Sequence, residues 1–390
     1  MKQRYRSVRD ENREWEAPTL REASQNSTGD KSGMLIRWLH TKDPLWDELV
    51  AKSVCKDFYY LRAYTQFEAE RLAGEARLLV IEHQDDFIAF PIILRPINAS
   101  AKATDATCVY GYAGPIFSRS NLDSELVTRF QGALTEELRR REVVALFARL
   151  HPLFDQSLIC NGLGEVRTVG ETAAIDLCMP EKDQRMQLRS GIRYNLREAE
   201  KHGLIVAEDS SWRNLNDFLE IYQETMVRVG AANDYWFPLE YYVGLRAALG
   251  DRVKLILSYM GGTPVAGGVF VESFGIVQWH LGGTRTQCLK MSPMSLLLWK
   301  AVQIFRDRNQ VLHLGGGVRG RADGVFMFKT GFSKRRYPFR VWRWIIDQEA
   351  YRRVCTERLI DPKERNDYFP RYRLPLAGLI FWFQCLLALT

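Results

Sequence analysis

The sequence predicts an α/β chain (more strictly α+β) made of two tandem copies of one unit, each a mixed, mainly antiparallel sheet flanked by helices. Three observations predict it. The 390 residues exceed the roughly 250–300 that one hydrophobic core usually accommodates, and 46% of them are hydrophobic, enough for two cores. Short apolar runs with alternating pattern are separated by turn residues, as strands are. The order hairpin, strand, helix, strand then occurs twice at similar spacing, which points to duplication.

In the first half, Arg77 to Glu82 (RLLVIE) reads as a strand, His83 to Asp86 as a turn and Phe87 to Leu94 (FIAFPIIL) as the returning strand. Cys108 to Ala113 (CVYGYA) reads as a third strand, Leu122 to Arg141 as a helix and Val143 to Ala148 as a further strand. The second half repeats this with Val253 to Tyr259, the glycine turn Met260 to Pro264, Val265 to Val271, Ile276 to Leu281, a helix over Pro293 to Asp307 and a strand at Val311 to Leu314. Ser292 is the expected N-cap of that helix, with Pro293 in its first position. Two helices precede the second copy. One spans Met186 to His202; the other, Asn214 to Arg228, carries Leu215, Phe218, Leu219, Tyr222 and Met226 on one face.

These elements divide the chain into an N-terminal extension (1–33), a first unit (34–165), a second unit (166–350) and a C-terminal tail (351–390). The extension is polar, without hydrophobic period, and is expected to be disordered; Met34 opens a segment that reads as a native start. No apolar h-region marks a cleaved secretory signal. Seven scattered cysteines without a CxxC pair argue against a disulfide framework and a zinc site and suit a reducing cytoplasm. Net charge is +7 with pI about 9.0, which favours an anionic partner: a phosphorylated substrate, RNA or a membrane surface. Leu374 to Thr390 is nearly all apolar and follows Arg371 and Arg373. As a helix it would be about 25 Å long, just short of the ~30 Å hydrocarbon core, so an anchor, an interfacial helix and a helix docked on the protein are all open, and attachment to the inner membrane is one expectation.

Two segments carry candidate chemistry. In Leu188 to Gly203 (LRSGIRYNLREAEKHG), Arg189, Arg193, Arg197 and Lys201 recur every fourth residue beside an apolar strip of Leu188, Ile192, Leu196 and Ala199. A helix stacks such positions into a row, and guanidinium groups grip phosphate oxygens with paired hydrogen bonds; the alternative is a solvated face. In Leu312 to Phe332, Gly315, Gly316 and Gly317 end a strand, where glycine lets backbone N–H groups approach a ligand. From Val311 to Trp344, Arg319, Arg321, Lys329, Lys334, Arg335, Arg336, Arg340 and Arg343 face one acid, Asp323. Lys329 sits among Phe326, Phe328 and Phe332. Three roles are open to it: stabilising an oxyanion, acting as a base with depressed pKa, or covering aromatic surface with its stem. GxSxG, HExxH and P-loop patterns are missing from the sequence. His280 and His313 read as core histidines, and Tyr110 and Tyr112 as packing residues or cleft lining.

RYNLREAEKHGL (Arg193 to Leu204), with LHLGGG and GVFMFKTGFS (Leu312 to Gly317, Gly324 to Ser333), resembles the signatures of FemAB-type transferases of the GNAT-like (N-acyltransferase) superfamily. The resemblance spans about 34–345, with its specific motifs in the second half. It implies two GNAT-like domains sharing a cleft, and an acyl or aminoacyl transferase forming an amide on a phosphorylated or lipid-linked precursor of peptidoglycan or polysaccharide. It also implies phosphate contact by Arg189 or Arg193, and support of acyl transfer by Lys329 of the Phe328-Lys329 pair. Aminoacyl-tRNA and acyl-CoA are the implied donors, with no bound cofactor. The chain departs from the family in two places. The long helical hairpin that serves many relatives as a tRNA arm is missing. So is the Q/R-x-x-G-x-G/A loop that takes the CoA pyrophosphate, its places being filled by GPIFS and GGTRTQ. An acyl-CoA-dependent N-acyltransferase acting on an amino sugar or amino acid, and a non-catalytic scaffold binding glycan or RNA, are the alternatives.

Overall fold

The computed structural model describes residues 28–29, 34–97, 103–361 and 368–374. The first unit contributes strands β1 (Leu35–Leu39), β2 (Glu75–His83), β3 (Asp86–Pro96), β4 (Thr104–Thr107), β5 (Val143–Arg149) and β6 (Glu165–Asp176). The second contributes β7 (Ile205–Glu208), β8 (Val253–Met260), β9 (Thr263–Ser273), β10 (Ile276–Thr284), β11 (Val311–Gly316) and β12 (Arg336–Ile345). Helices α1 (Leu45–Lys52), α2 (Arg62–Arg71) and α3 (Ser124–Arg140) belong to the first unit. The second holds α4 (Glu181–Gln187), α5 (Ser190–Lys201), α6 (Leu215–Val229), α7 (Leu239–Leu249), α8 (Pro293–Phe305) and α9 (Gly324–Lys329), and α10 (Gln348–Glu357) follows.

All the strands among the described residues join one 14-stranded sheet, in the order β1-β2-β3-β4-β5-β12-β6-β11-β10-β9-β8-β7, with two-residue strands at Thr28–Gly29 beside β1 and Ile116–Phe117 beside β3. Each unit has the same core: antiparallel hairpins, then a parallel pair joined through a helix, β4 with β5 through α3 and β10 with β11 through α8. Parallel neighbours require such a crossover. The final strands are exchanged. By the matching element order β6 is the sixth strand of the first unit, although the division at 165/166 expected from the sequence places it in the second. It pairs with β11, β12 leaves the second unit to pair with β5, and the two pair with each other at the centre. The exchange carries Trp342 of β12, fully buried, into the first core, where it stacks on Phe90 at 5.6 Å. Burying one indole there contributes about 3 kcal/mol or more, so neither sheet half is complete without the other's last strand.

Four expectations are corrected. Cys108 to Ala113 is not a strand: β4 lies earlier, at Thr104–Thr107, and the chain loops out before Ala113 re-pairs with Leu150. Gly111 (φ +124°), on which a Cβ would overlap the Tyr59 ring, permits the excursion. Ser292 stands in the N-cap position of α8, before Pro293, but its side chain does not cap the helix. The residue is left-handed (φ 55°), because a 3₁₀ turn over Thr286–Met291 enters the helix directly. The helix expected over Met186 to His202 is two helices, α4 and α5, broken where Leu188 and Arg189 are extended. Thr28 and Gly29, placed in the disordered extension, pair with Ile36 and Leu35. The rest of that extension, the start at Met34 apart, and nearly all of the apolar tail 374–390 lie outside the described residues. No described helix is long and apolar enough to cross a membrane.

Candidate functional site

Parallel strands held by hydrogen bonds can part only where the ladder stops, and β10 and β11 stop early. They pair at Ile276–Val311, Val277–Leu312 and Gln278–His313 and no further. Beyond that point β11 turns to β6 through an irregularity between His313 and Gly315, with Gly315 at φ +75°. A wedge opens between the two strands, and Lys329 projects into it from α9.

Asp123 and Asp323 hold their helices in the same way. Asp323 caps α9 by accepting from Phe326 N, and its other oxygen accepts from Val318 N, which fixes the loop between β11 and α9. Lys329 is half-buried. Its Nζ donates to Gly316 O at 2.7 Å and lies 5.3 Å from the Trp279 ring centroid. Burial lowers its pKa to about 8, only partly opposed by Asp323, so it is mostly protonated at neutral pH. A Cβ on Gly315 would sit 3.4 Å from both Lys329 Nζ and the Tyr112 hydroxyl; the two groups, one from each unit, therefore flank one small space that glycine keeps open. Burial raises the Tyr112 pKa to about 12, so its hydroxyl stays a donor. Its ring stands edge-on to His313 (5.2 Å) and Phe339 (5.4 Å).

The other glycines of the triplet meet protein rather than open space. A Cβ on Gly316 would lie 2.8 Å from Glu171 O, and one on Gly317 would lie 2.0 Å from Arg321 O, so they serve the chain's own close packing. Phe328 packs against Phe332 at 5.3 Å on the second core rather than beside the ammonium. Arg189, outside the helix, donates to Thr330 Oγ1 (3.0 Å) and Met327 O (3.3 Å), tying α5 to the Lys329 segment. Arg193 donates to Leu188 O and Lys201 pairs with Glu198. Arg197 is exposed on the same face. The even row is thus a helix of three cations and one arginine that braces the loop. Arg319 (φ 53°) and Arg321 are exposed beside the glycines, whereas Arg335 pairs with Asp176 and Arg336 binds Ser333 O and Thr330 O.

Behind the wedge lies a polar cluster that no sequence motif announces. Asp57, His151, Gln278 and His313 are buried. Asp57 Oδ2 accepts from His151 Nε2 (2.9 Å) and Gln278 Nε2 (2.7 Å), and its Oδ1 accepts from Phe58 N (2.6 Å) and Ser273 Oγ (3.0 Å). Gln278 Oε1 accepts from His313 Nδ1 at 2.6 Å. The members come from sequence positions more than 200 apart, which is why reading along the chain left His313 as an ordinary core histidine. His280 is separate: it meets the Tyr241 hydroxyl at 2.7 Å in an aromatic cluster, and burial lowers its pKa to about 3.

Helix N-termini attract anions when their N–H groups are free. Here those of the two crossover helices, α3 and α8, are already answered by carboxylates. Asp123 accepts from Glu125 N and Leu126 N at α3. In the turn entering α8, Thr286 N donates to Glu224 Oε1 at 2.6 Å, Thr284 N donates to Thr225 Oγ1, and Arg285 is paired with Glu220 and Glu224. Pro293 contributes no N–H.

The profile of the GNAT acetyltransferase domain matches residues 186–320. The crystal structure of FemX superposes with a TM-score of 0.63 at 12% identity, over 82% of this chain and 99% of FemX. A conserved protein of unknown function from Bacteroides thetaiotaomicron gives 0.50 at 10% identity, over 79% of this chain and 99% of that protein. No match is found among curated proteins.

Proposed function

We propose that this chain, which has the tandem GNAT fold of FemAB-type transferases, is an aminoacyl or acyl transferase that joins an activated carboxyl group to an amine of a cell-envelope precursor. The observation that carries the reading is the position of Lys329 Nζ, which donates to Gly316 O at the mouth of the wedge, opposite the Tyr112 hydroxyl of the other unit. Donors aimed at the place where a carbonyl oxygen gains charge stabilise the transition state more than the ground state. The amine attacks the ester or thioester carbonyl, both held in the wedge, and the oxyanion develops between Lys329 and Tyr112. Arg197 and Arg193 on α5, with Arg319 and Arg321 by the glycines, offer charge for the phosphates of a phosphorylated or lipid-linked acceptor. Arg189 acts by bracing the Lys329 segment.

The GNAT profile match favours acyl-CoA as a second donor class. Against it, the amides that would cradle a pyrophosphate are bonded to Asp123 and Glu224, and a carboxylate in that position repels a second anion. An aminoacyl ester, whose reactive end carries no pyrophosphate, suits the wedge better. Mass spectrometry of products from the full chain, incubated with UDP-linked muropeptide and either aminoacyl-tRNA or acyl-CoAs, tests the proposal, with Lys329→Met beside it. Aminoacylated muropeptide from the wild type alone supports the reading. Turnover of acyl-CoA on an amino sugar transfers it to the acyl-CoA class, and no product from any pair removes it.

A further inference from the structure

A neutral imidazole that donates through one ring nitrogen presents a lone pair on the other. His313 is in that state. Its Nδ1 faces the Gln278 carbonyl oxygen, an acceptor only, so the proton is on Nδ1. Gln278 is held in this orientation because its amide group donates to Asp57. His151 is fixed the opposite way: its Nε2 donates to Asp57, and its Nδ1 accepts from Leu153 N. His313 Nε2 is thereby left as a buried acceptor without a partner among the described residues, and Trp279 Nε1, under the Lys329 ammonium, is a buried donor in the same condition. Leaving such a group unmade costs about 1–3 kcal/mol, and a buried imidazole acceptor in that condition marks a place where something else binds.

Position supports this. Leu312 and Leu314 of β11 face the second core, so His313 between them faces the first unit, where it meets Tyr112. It occupies the last paired position before the strands part, two residues before the Gly315 space that Lys329 and Tyr112 flank. The charged and titratable groups around it are His151, Lys329, Tyr112 and, through Gln278, Asp57. Burial, with His151 and Lys329 nearby, keeps its pKa well below the usual histidine value, so it is unprotonated at neutral pH.

We propose that His313 is the proton acceptor of the transfer, with Gln278 and Asp57 as its positioning residues. The inference rests on the transferase reading above. The amine nitrogen forms its bond to the carbonyl carbon, and the carbonyl π electrons move to the oxygen between Lys329 and Tyr112. The proton of the attacking nitrogen passes to His313 Nε2, while the Tyr112 proton stays on the developing oxyanion. When the tetrahedral adduct collapses, the C–O or C–S bond breaks, and the leaving oxygen or sulfur takes that proton, which restores the base. The imidazolium formed in between is stabilised by Asp57, whose charge reaches Nδ1–H through Gln278. The class of acceptor follows: a primary amine delivered as the free base, not a hydroxyl, since a base of low pKa removes a proton readily only from nitrogen already bonded to the carbonyl carbon.

Two measurements on the full chain test it. Nitrogen-15 NMR of the histidines of the wild type at pH 7 should show His313 as the Nδ1–H tautomer with Nε2 bare, assigned by its loss in His313→Gln. A doubly protonated ring, or a proton on Nε2, overturns the proposal without any assay of activity. In the transfer assay, His313→Gln should lose about 10²–10⁴-fold in kcat with KM changed less than about threefold, and imidazole should restore part of the rate to His313→Gly. Wild-type rates in His313→Gln overturn the base and mean that Nε2 holds a buried water only. If the wild type transfers nothing, it is the transferase reading that fails, whatever the NMR shows.

Discussion

Replacing Lys329 with methionine should stabilise the protein while abolishing transfer. Burial lowers the Lys329 pKa from 10.5 to about 8, and each tenfold change in proton affinity is worth about 1.4 kcal/mol. The folded state therefore pays about 3 kcal/mol to keep the ammonium charged at pH 7. The sign follows from proton counting. Between pH 8 and 10.5 the unfolded chain holds more protons at this side chain than the folded one, so stability rises with pH across that window. The penalty is present in full below about pH 8 and is gone above 10.5. Methionine has similar length, carries no charge and fits an apolar surround, but it loses the bond to Gly316 O, about 1 kcal/mol. The net gain at pH 7 is about 2 kcal/mol. Urea unfolding of wild type and Lys329→Met at pH 7.0 and 9.5 measures it, and the gap should narrow at the higher pH. A variant less stable than wild type at pH 7, or a gap that does not change with pH, would refute the assignment of Lys329 as a buried cation held for function.

If Lys329 acts as the charged donor, kcat falls with a basic limb near pH 8, and Lys329→Arg retains activity to higher pH than wild type; a rate that climbs through pH 8 would instead make Lys329 the base. Asp57→Ala strands the four donors that converge on the carboxylate and should cost about 3–5 kcal/mol, read as a lowered urea midpoint; an unchanged midpoint would show that the cluster does not hold the two units together. Glu224→Ala frees Thr286 N and Arg285 and should raise affinity for CoA by about tenfold in calorimetry, whereas no change would show that this carboxylate is not what excludes the pyrophosphate.

Much of the architecture was legible along the chain because it is written in local periods. The apolar runs bounded by turns in β2, β3, β8 and β9 and the amphipathic patterns of α3 and α6 register within a dozen residues, and the same order met twice exposes the duplication. Lys329 was visible through its aromatic neighbours. Where reading failed, a non-local contact had overruled the local preference. The apolar stretch Cys108 to Ala113 loops out through a positive-φ Gly111 packed directly on the Tyr59 ring, a long-range contact that no local pattern announces. Arg189 leaves the helix because its backbone N–H bonds Gly331 O and its guanidinium reaches Thr330.

The sequence by itself determined that there are two similar units, which segments form their hairpins and crossover helices, and that a basic, glycine-bearing loop with one lysine among phenylalanines closes the second. Tertiary structure alone decided the exchange of β6 and β12, the meeting of Tyr112 with Lys329, and the chain Asp57–Gln278–His313. The reason is physical. Helix and strand periodicity report which way neighbouring side chains face, whereas a site assembled by parallel pairing and strand exchange unites residues whose separation along the chain carries no period at all. A buried carboxylate or imidazole gains its meaning only from the partners that the fold brings within hydrogen-bonding distance.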